Sequence, residues 1–110
     1  LEPEGGARHV SPELDAGPAI AQAALNQALP LLQSWLPDGR KSGVEYKAKN
    51  PRRADKSVGS FTINTQAGRW ADFATGDAGG DLIALYAYLH ACSQIAAARE
   101  LASILGVRHD

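Results

Sequence analysis

The sequence predicts an α+β fold, in which a small antiparallel β-sheet of three to five strands packs with an N-terminal helix and two C-terminal helices. Apolar residues recur at offsets of three and four before residue 37 and after residue 81, which is typical of amphipathic helices. Between residues 43 and 73 the period shortens towards two, which is typical of strands. The length of 110 residues suits a single domain.

The N-terminal part divides into a tail and a helix. Residues 1–17 are rich in glycine, proline and charge, and we expect a flexible tail there, followed by one domain over residues 18–110. Helical spacing runs from Pro18 to Leu36, but Pro30 has no backbone N–H and disfavours a helical conformation of the residue before it. The helix should therefore kink or break near residue 29. Its apolar stripe comprises Ala21, Leu25, Ala28, Leu29, Leu32 and Leu36.

The middle of the chain predicts the strands. Residues 60–64 and 69–73 alternate in polarity and predict a β-hairpin, whose short loop contains Gly68 with a positive φ. Residues 44–48 predict a preceding strand, and residues 50–59 predict a basic loop.

The large side chains of the hairpin divide into core and surface. Phe61 and Ile63 share one strand face, and we predict that they form the core together with Phe73. Trp70 lies two residues before Asp72 on one face of its strand. Because aspartate is mostly exposed, we expect the ring of Trp70 to be partly exposed as well.

A Gly/Asp-rich loop at residues 74–81 leads into the two C-terminal helices. We predict that Asp81 caps the first helix and Ser93 the second, and that Gly106 follows the second helix with a positive φ. The predicted buried faces are Leu82, Leu85, Tyr86 and Leu89 in the first helix, and Ile95, Ala98, Leu101, Ala102 and Leu105 in the second.

Residue types that carry catalysis form no motif here. Cys92 is the single cysteine, which excludes an internal disulfide framework and a cysteine zinc cage and fits a reducing, cytoplasmic compartment. The three histidines lack metal-ligand spacing, no nucleophile motif is present, and neither a membrane-spanning apolar run nor a signal pattern is found. The sequence therefore indicates a non-enzymatic protein. The alternative is a magnesium enzyme that uses Asp72, Asp77 and Asp81.

The net charge of −1 hides an uneven distribution. Residues 40–69 hold eight basic and two acidic residues (+6), and the rest of the chain holds three basic and ten acidic residues (−7). The alternative is an ordinary solvated loop, but the interleaved aromatic residues favour single-stranded DNA binding, which combines a cationic groove with stacking rings. The candidate phosphate contacts are Lys47, Lys49, Arg52, Arg53, Lys56 and Arg69, and the candidate stacking rings are Tyr46 and Trp70.

The chain resembles the N-terminal zinc-ribbon domain of bacterial DNA primases in residues 56–81, KSVGSFTINTQAGRWADFATGDAGGD, and in the helices up to Gly106. In that family a Cys-x-x-His pair precedes a Pro-Ser-Phe strand, and a second strand ends in Cys-x-x-Cys-Gly before a Gly-rich step into a helix. Here the strand start is matched by Gly59-Ser60-Phe61, the second pair by residues 72–76, and the helix entry by Gly79-Gly80-Asp81.

The family's four zinc ligands fall on Pro51, Ala54, Asp72 and Thr75, none of which is Cys or His. The resemblance therefore implies a zinc-less ribbon without a cofactor, as in replication proteins of phages, plasmids and other mobile elements. Because structural zinc contributes roughly 10–16 kcal/mol to the folding of small fingers, other interactions must replace it. We expect these to be apolar packing, which includes Trp35, and hydrogen bonds from Asp72 and Thr75.

The resemblance implies a non-catalytic domain that binds single-stranded DNA template within a primase or primase-helicase polypeptide. The chain, which contains no Met, is expected to be a piece of such a longer protein. The main alternative is a docking module, in which the alanine-rich helices of residues 82–105 or the face of Trp35 recruit a helicase or polymerase partner.

Overall fold

The computed structural model describes residues 16–52 and 59–107, and within these ranges it contains four helices and five strands. All neighbouring strands are antiparallel, in the order β1-β2-β3-β4-β5. The predicted α+β fold is confirmed. In chain order the elements are α1 (Gly17–Asn26), α2 (Ala28–Trp35), β1 (Arg40–Ser42), β2 (Glu45–Ala48), β3 (Phe61–Asn64), β4 (Trp70–Asp72), β5 (Ala78–Gly79), α3 (Leu82–His90) and α4 (Gln94–Leu105).

The N-terminal helical stretch breaks at Gln27, close to the predicted position. Pro30 becomes the third residue of α2, where a backbone N–H would have no intrahelical partner in any case. A break before the proline therefore lets both halves remain helical. Of the predicted tail, only Ala16 and Gly17 are among the described residues, and Gly17 begins α1.

The predicted helix ends are confirmed. The side chain of Asp81 accepts a hydrogen bond from the backbone N–H of Ala84 (2.8 Å) at the start of α3. Ser93 accepts one from the N–H of Ala96 (3.0 Å) at the start of α4. Gly106 follows α4 with a φ of 71°. These local signals determine where both C-terminal helices begin and where α4 ends.

The sheet has two chemically different faces. On the face that we call the inner face, large side chains of β2, β3 and β4 pack against leucines of the helices. The other face, which we call the outer face, carries half-buried and exposed residues. The inner-face core includes Tyr46, Ala48, Phe61, Ile63 and Trp70, with Leu31, Leu32, Leu36, Leu82 and Leu85 from the helical side.

A second core lies among the helices. Its buried residues include Ile20 of α1, Ile83 of α3 and Leu101 of α4. The ring of Trp35 meets Tyr86 edge to face at 5.4 Å between centroids. Three of the alanines that a docking module would present, Ala87, Ala97 and Ala98, are buried in this core. None of the described helices is both long and apolar enough to cross a membrane.

Candidate nucleic-acid interface

Trp70 is a core residue, so the prediction of a partly exposed ring was wrong. Its side chain is only 5% exposed, and its ring packs against Tyr88 (4.8 Å) and Phe61 (6.1 Å). The physical reason is the hairpin register, which pairs Trp70 with Ile63 and therefore places both on the inner face. The indole also lies against Gly79, where an added Cβ would collide with it.

Tyr46 is likewise unsuited to base stacking, which corrects its assignment as a platform. The residue is 1% exposed, and its ring lies against Gly39. Its hydroxyl donates a hydrogen bond to the backbone carbonyl of Leu36 (2.7 Å). Burial raises the pKa of the Tyr46 hydroxyl, and the charge of Asp38 adds to this effect. Tyr46 therefore fastens β2 to the end of α2.

Phe73 is the exposed ring of the hairpin, so its assignment to the core was also wrong. The side chain is 75% exposed. Strand alternation continues through the end of β4: Trp70 and Asp72 point inward, whereas Ala71 and Phe73 point outward. The sequence contains the signal for this arrangement. In the predicted hairpin, the residues paired with the core residues Phe61 and Ile63 must lie on the same face as these two, and Phe73 then falls on the opposite face.

Two cations line the same outer-face groove as this exposed ring. Lys47 and Arg69 both line an open groove of about 570 Å³ that also contacts Phe73. Arg40, which was not among the predicted site residues, pairs with Lys47 across β1 and β2 and so shares its face. Lys49 lies directly after the end of β2, is half-buried, and is not among the residues that line the groove. The structure thus brings together two of the six predicted cations, Lys47 and Arg69.

The groove crosses β2, β3, β4 and β5 on the outer face. Its floor is made of small side chains, and its acidic member is Glu45. The complete lining is Glu45, Lys47, Gly59, Thr62, Asn64, Arg69, Trp70, Ala71, Phe73, Ala78 and Gly79.

Arg52 lies apart from this groove. Its guanidinium donates a hydrogen bond to the backbone carbonyl of Tyr88 (3.0 Å) and lies 5.1 Å from the centre of the Tyr88 ring. Tyr88 belongs to α3, on the helical side of the sheet. Arg53 and Lys56 lie outside the described residues. The predicted cations therefore do not all share one surface.

A buried polar network links the ends of β2 and β4 to α3. The side-chain amide of Asn50 donates to the carboxylate of Asp72 (2.8 Å) and to the hydroxyl of Tyr88 (2.8 Å). The Tyr88 hydroxyl donates to Asp77 (2.7 Å). Burial raises the pKa of Tyr88, the hydrogen bond from Asn50 lowers it, and the bond to Asp77 raises it. The network fastens the loops at one end of the sheet.

The family's zinc positions show no fit to a zinc site in the described residues. Pro51 offers no side-chain donor, Ala54 is not described, and the fully buried Asp72 accepts hydrogen bonds from Asn50 and from the N–H of Ala74 (2.8 Å). Structural zinc prefers four Cys or His ligands. Among residues 16–52 and 59–107, no cluster of three or more His, Cys, Asp or Glu could hold a metal ion.

No family model matches the sequence, and no curated protein matches it either. A solved structure does: a crystal structure of the Aquifex aeolicus primase with its zinc-binding and RNA polymerase domains superposes with a TM-score of 0.70 and 22% sequence identity. The fold is primase-like. The match covers 92% of this chain and 23% of that one, so the chain spans about a quarter of the primase structure. The predicted primase-like fold is confirmed.

Proposed function

We propose that this chain is a non-catalytic domain of a primase or primase-helicase that binds single-stranded DNA through the outer face of its sheet. The observation that carries the proposal is the position of Phe73, a 75% exposed ring on a cationic strand face that no described helix covers. Single-strand binding combines a cationic track for the phosphates with aromatic rings for the bases. The primase-like fold supports this setting in a replication protein.

The charges of the outer face favour a polyanion. Among the described residues, three cations, Arg40, Lys47 and Arg69, lie there together with Glu45, which gives a net charge of +2 by counting (3 − 1). The chain as a whole carries −1, so the attraction is local to this face. A phosphate backbone that lies along the groove would neutralise these cations and release counterions.

The proposal includes no metal. Asp72 and Thr75, which occupy two of the family's ligand positions, close the turn with hydrogen bonds: Thr75 and Gly76 donate backbone N–H bonds to the carbonyl of Asp72 (3.2 and 2.8 Å). The hydroxyl of Thr75 accepts the N–H of Asp77 (3.2 Å). These bonds support a ribbon that folds without zinc.

Fluorescence anisotropy with a labelled single strand of eight nucleotides tests the function. We expect binding whose log affinity falls with log salt at about 0.7 per neutralised phosphate. The double variant Lys47→Ala/Arg69→Ala should weaken binding and flatten this slope by about 1.4, because it removes two phosphate contacts. The matched control is Lys41→Ala/Arg99→Ala, which removes the same charge away from the groove.

The outcomes separate the alternatives. If the wild type binds no strand, or if both double variants change the slope equally, the outer face is not the binding surface. Arg52→Ala/Arg53→Ala tests the basic loop in the same assay. An effect there, with none at Lys47 and Arg69, would move the site to the helical side. Absence of any DNA binding would favour the docking module.

A further inference from the structure

Hydrogen bonds hold the backbone that carries Phe73, although the ring itself is exposed. The backbone N–H of Phe73 donates to the carbonyl of Ser60 (2.8 Å). Its neighbour Asp72 is held on the inner face by Asn50, and the following N–H, of Ala74, is bound to the Asp72 carboxylate. Because these bonds already hold the backbone, a ligand that contacts the ring does not have to order this part of the main chain on binding.

The surface beside this ring is a trough with a floor of small side chains. The register aligns Thr62, Ala71 and Ala78 across β3, β4 and β5, all on the outer face. Arg69 lies directly before β4 and Phe73 directly after it, so they flank Ala71 with roughly 13 Å between their Cα atoms, given the rise of a strand. The trough therefore has an aromatic ring at one end, a flat floor in the middle and a cation at the other end.

We propose that this trough seats an unpaired nucleobase, stacked on Phe73 over the floor of Thr62, Ala71 and Ala78, while Arg69 and Lys47 hold adjacent phosphates. The inference rests on the proposed function and specifies its ligand: the site recognises a base as well as a backbone charge. Because every base presents a π-face, the stack tolerates any sequence. A bare polyanion would satisfy the cations but leave the trough empty.

Two single-stranded DNAs that carry the same phosphates but different numbers of bases test whether the trough binds a base. One is the labelled eight-nucleotide single strand, and the other carries abasic residues at its three central positions, with the same phosphates. We expect the wild type to bind the intact strand roughly 5-fold to 100-fold more tightly than the abasic strand, the range typical of a stacked base. Phe73→Ala should remove this difference by weakening only the intact strand, and Phe73→Trp should retain it.

Ala71→Leu provides an independent variant, because it fills the trough without changing charge or the inner face. It should also reduce the preference for the intact strand, whereas Ala19→Leu, on the exposed side of α1, should not. Equal wild-type affinity for both strands would overturn the base seat and leave the proposed function intact. Equal losses for both strands in Phe73→Ala would overturn it too. Failure to bind either strand would instead overturn the proposed function.

Discussion

Two aromatic residues three positions apart on one hairpin differ completely in surroundings. Trp70 packs between Phe61 and Tyr88 on the inner face, whereas Phe73 projects from the end of β4 on the outer face. Both belong to the same short stretch of sequence, and both are large and apolar. The difference shows that the face of a strand, rather than the residue type, decides whether a ring supports the fold or is available to a ligand.

The largest expected effect is therefore on stability and is specific to the inner face. Trp70→Ala should destabilise the domain by about 3–5 kcal/mol, because it leaves a cavity in the core. Phe73→Ala should change the free energy of unfolding by less than about 0.5 kcal/mol, as exposed positions usually do. Urea denaturation followed by circular dichroism measures both values.

Trp70→Phe is the conservative control for this prediction. Within the described residues the indole Nε1 is buried without a hydrogen-bond partner, so the change to phenylalanine loses no hydrogen bond. Trp70→Phe should therefore lower the free energy of unfolding by less than Trp70→Ala does. A Phe73→Ala variant as unstable as Trp70→Ala would contradict the contrast between the two faces.

The sequence alone predicted much of the fold because its signals were local. The caps at Asp81 and Ser93, the positive φ of Gly68 (83°) and the hairpin all depend on neighbouring residues. β1 was not predicted because its residues, Arg40–Ser42, contain no apolar residue and form a strand only by pairing with β2.

The candidate site was predicted less well because it depends on long-range contacts. Asp72 suggested a surface position for Trp70, but its carboxylate is buried with Asn50, 22 residues earlier in the chain. No local pattern reveals that partner. The cations at positions 47 and 69 were predicted from the charge distribution along the chain, and the structure places both in one groove on the outer face.

Removal of the buried amide of Asn50 should have the next largest effect on stability. Asn50→Ala removes the donor to Asp72 and Tyr88 and the acceptor for the N–H of Arg52 (2.8 Å), so a buried carboxylate loses a partner. We expect a loss of about 1–3 kcal/mol in the free energy of unfolding, measured by urea denaturation.

Asn64→Ala is the matched variant on the outer face. The Asn64 side chain accepts hydrogen bonds from the N–H groups of Gln66 and Ala67 (2.8 and 2.9 Å), which are exposed turn contacts. Asn64→Ala should lower the free energy of unfolding by less than Asn50→Ala does. The reverse order would show that the turn, rather than the inner polar network, holds the hairpin in place.

The smallest expected effect is that of a chelator. Incubation with EDTA should leave the thermal midpoint of the domain unchanged, because Asp72 is held by Asn50 and Ala74 and the inner face is held by apolar packing. Burial of each large apolar side chain contributes about 1.5–3 kcal/mol, so five or six of them match the stabilisation that zinc supplies to small fingers. Differential scanning calorimetry with and without EDTA measures this. A midpoint that falls with EDTA and returns with added zinc would mean that the inner face needs a metal after all, and that Asp72 has a ligand other than its hydrogen-bond donors.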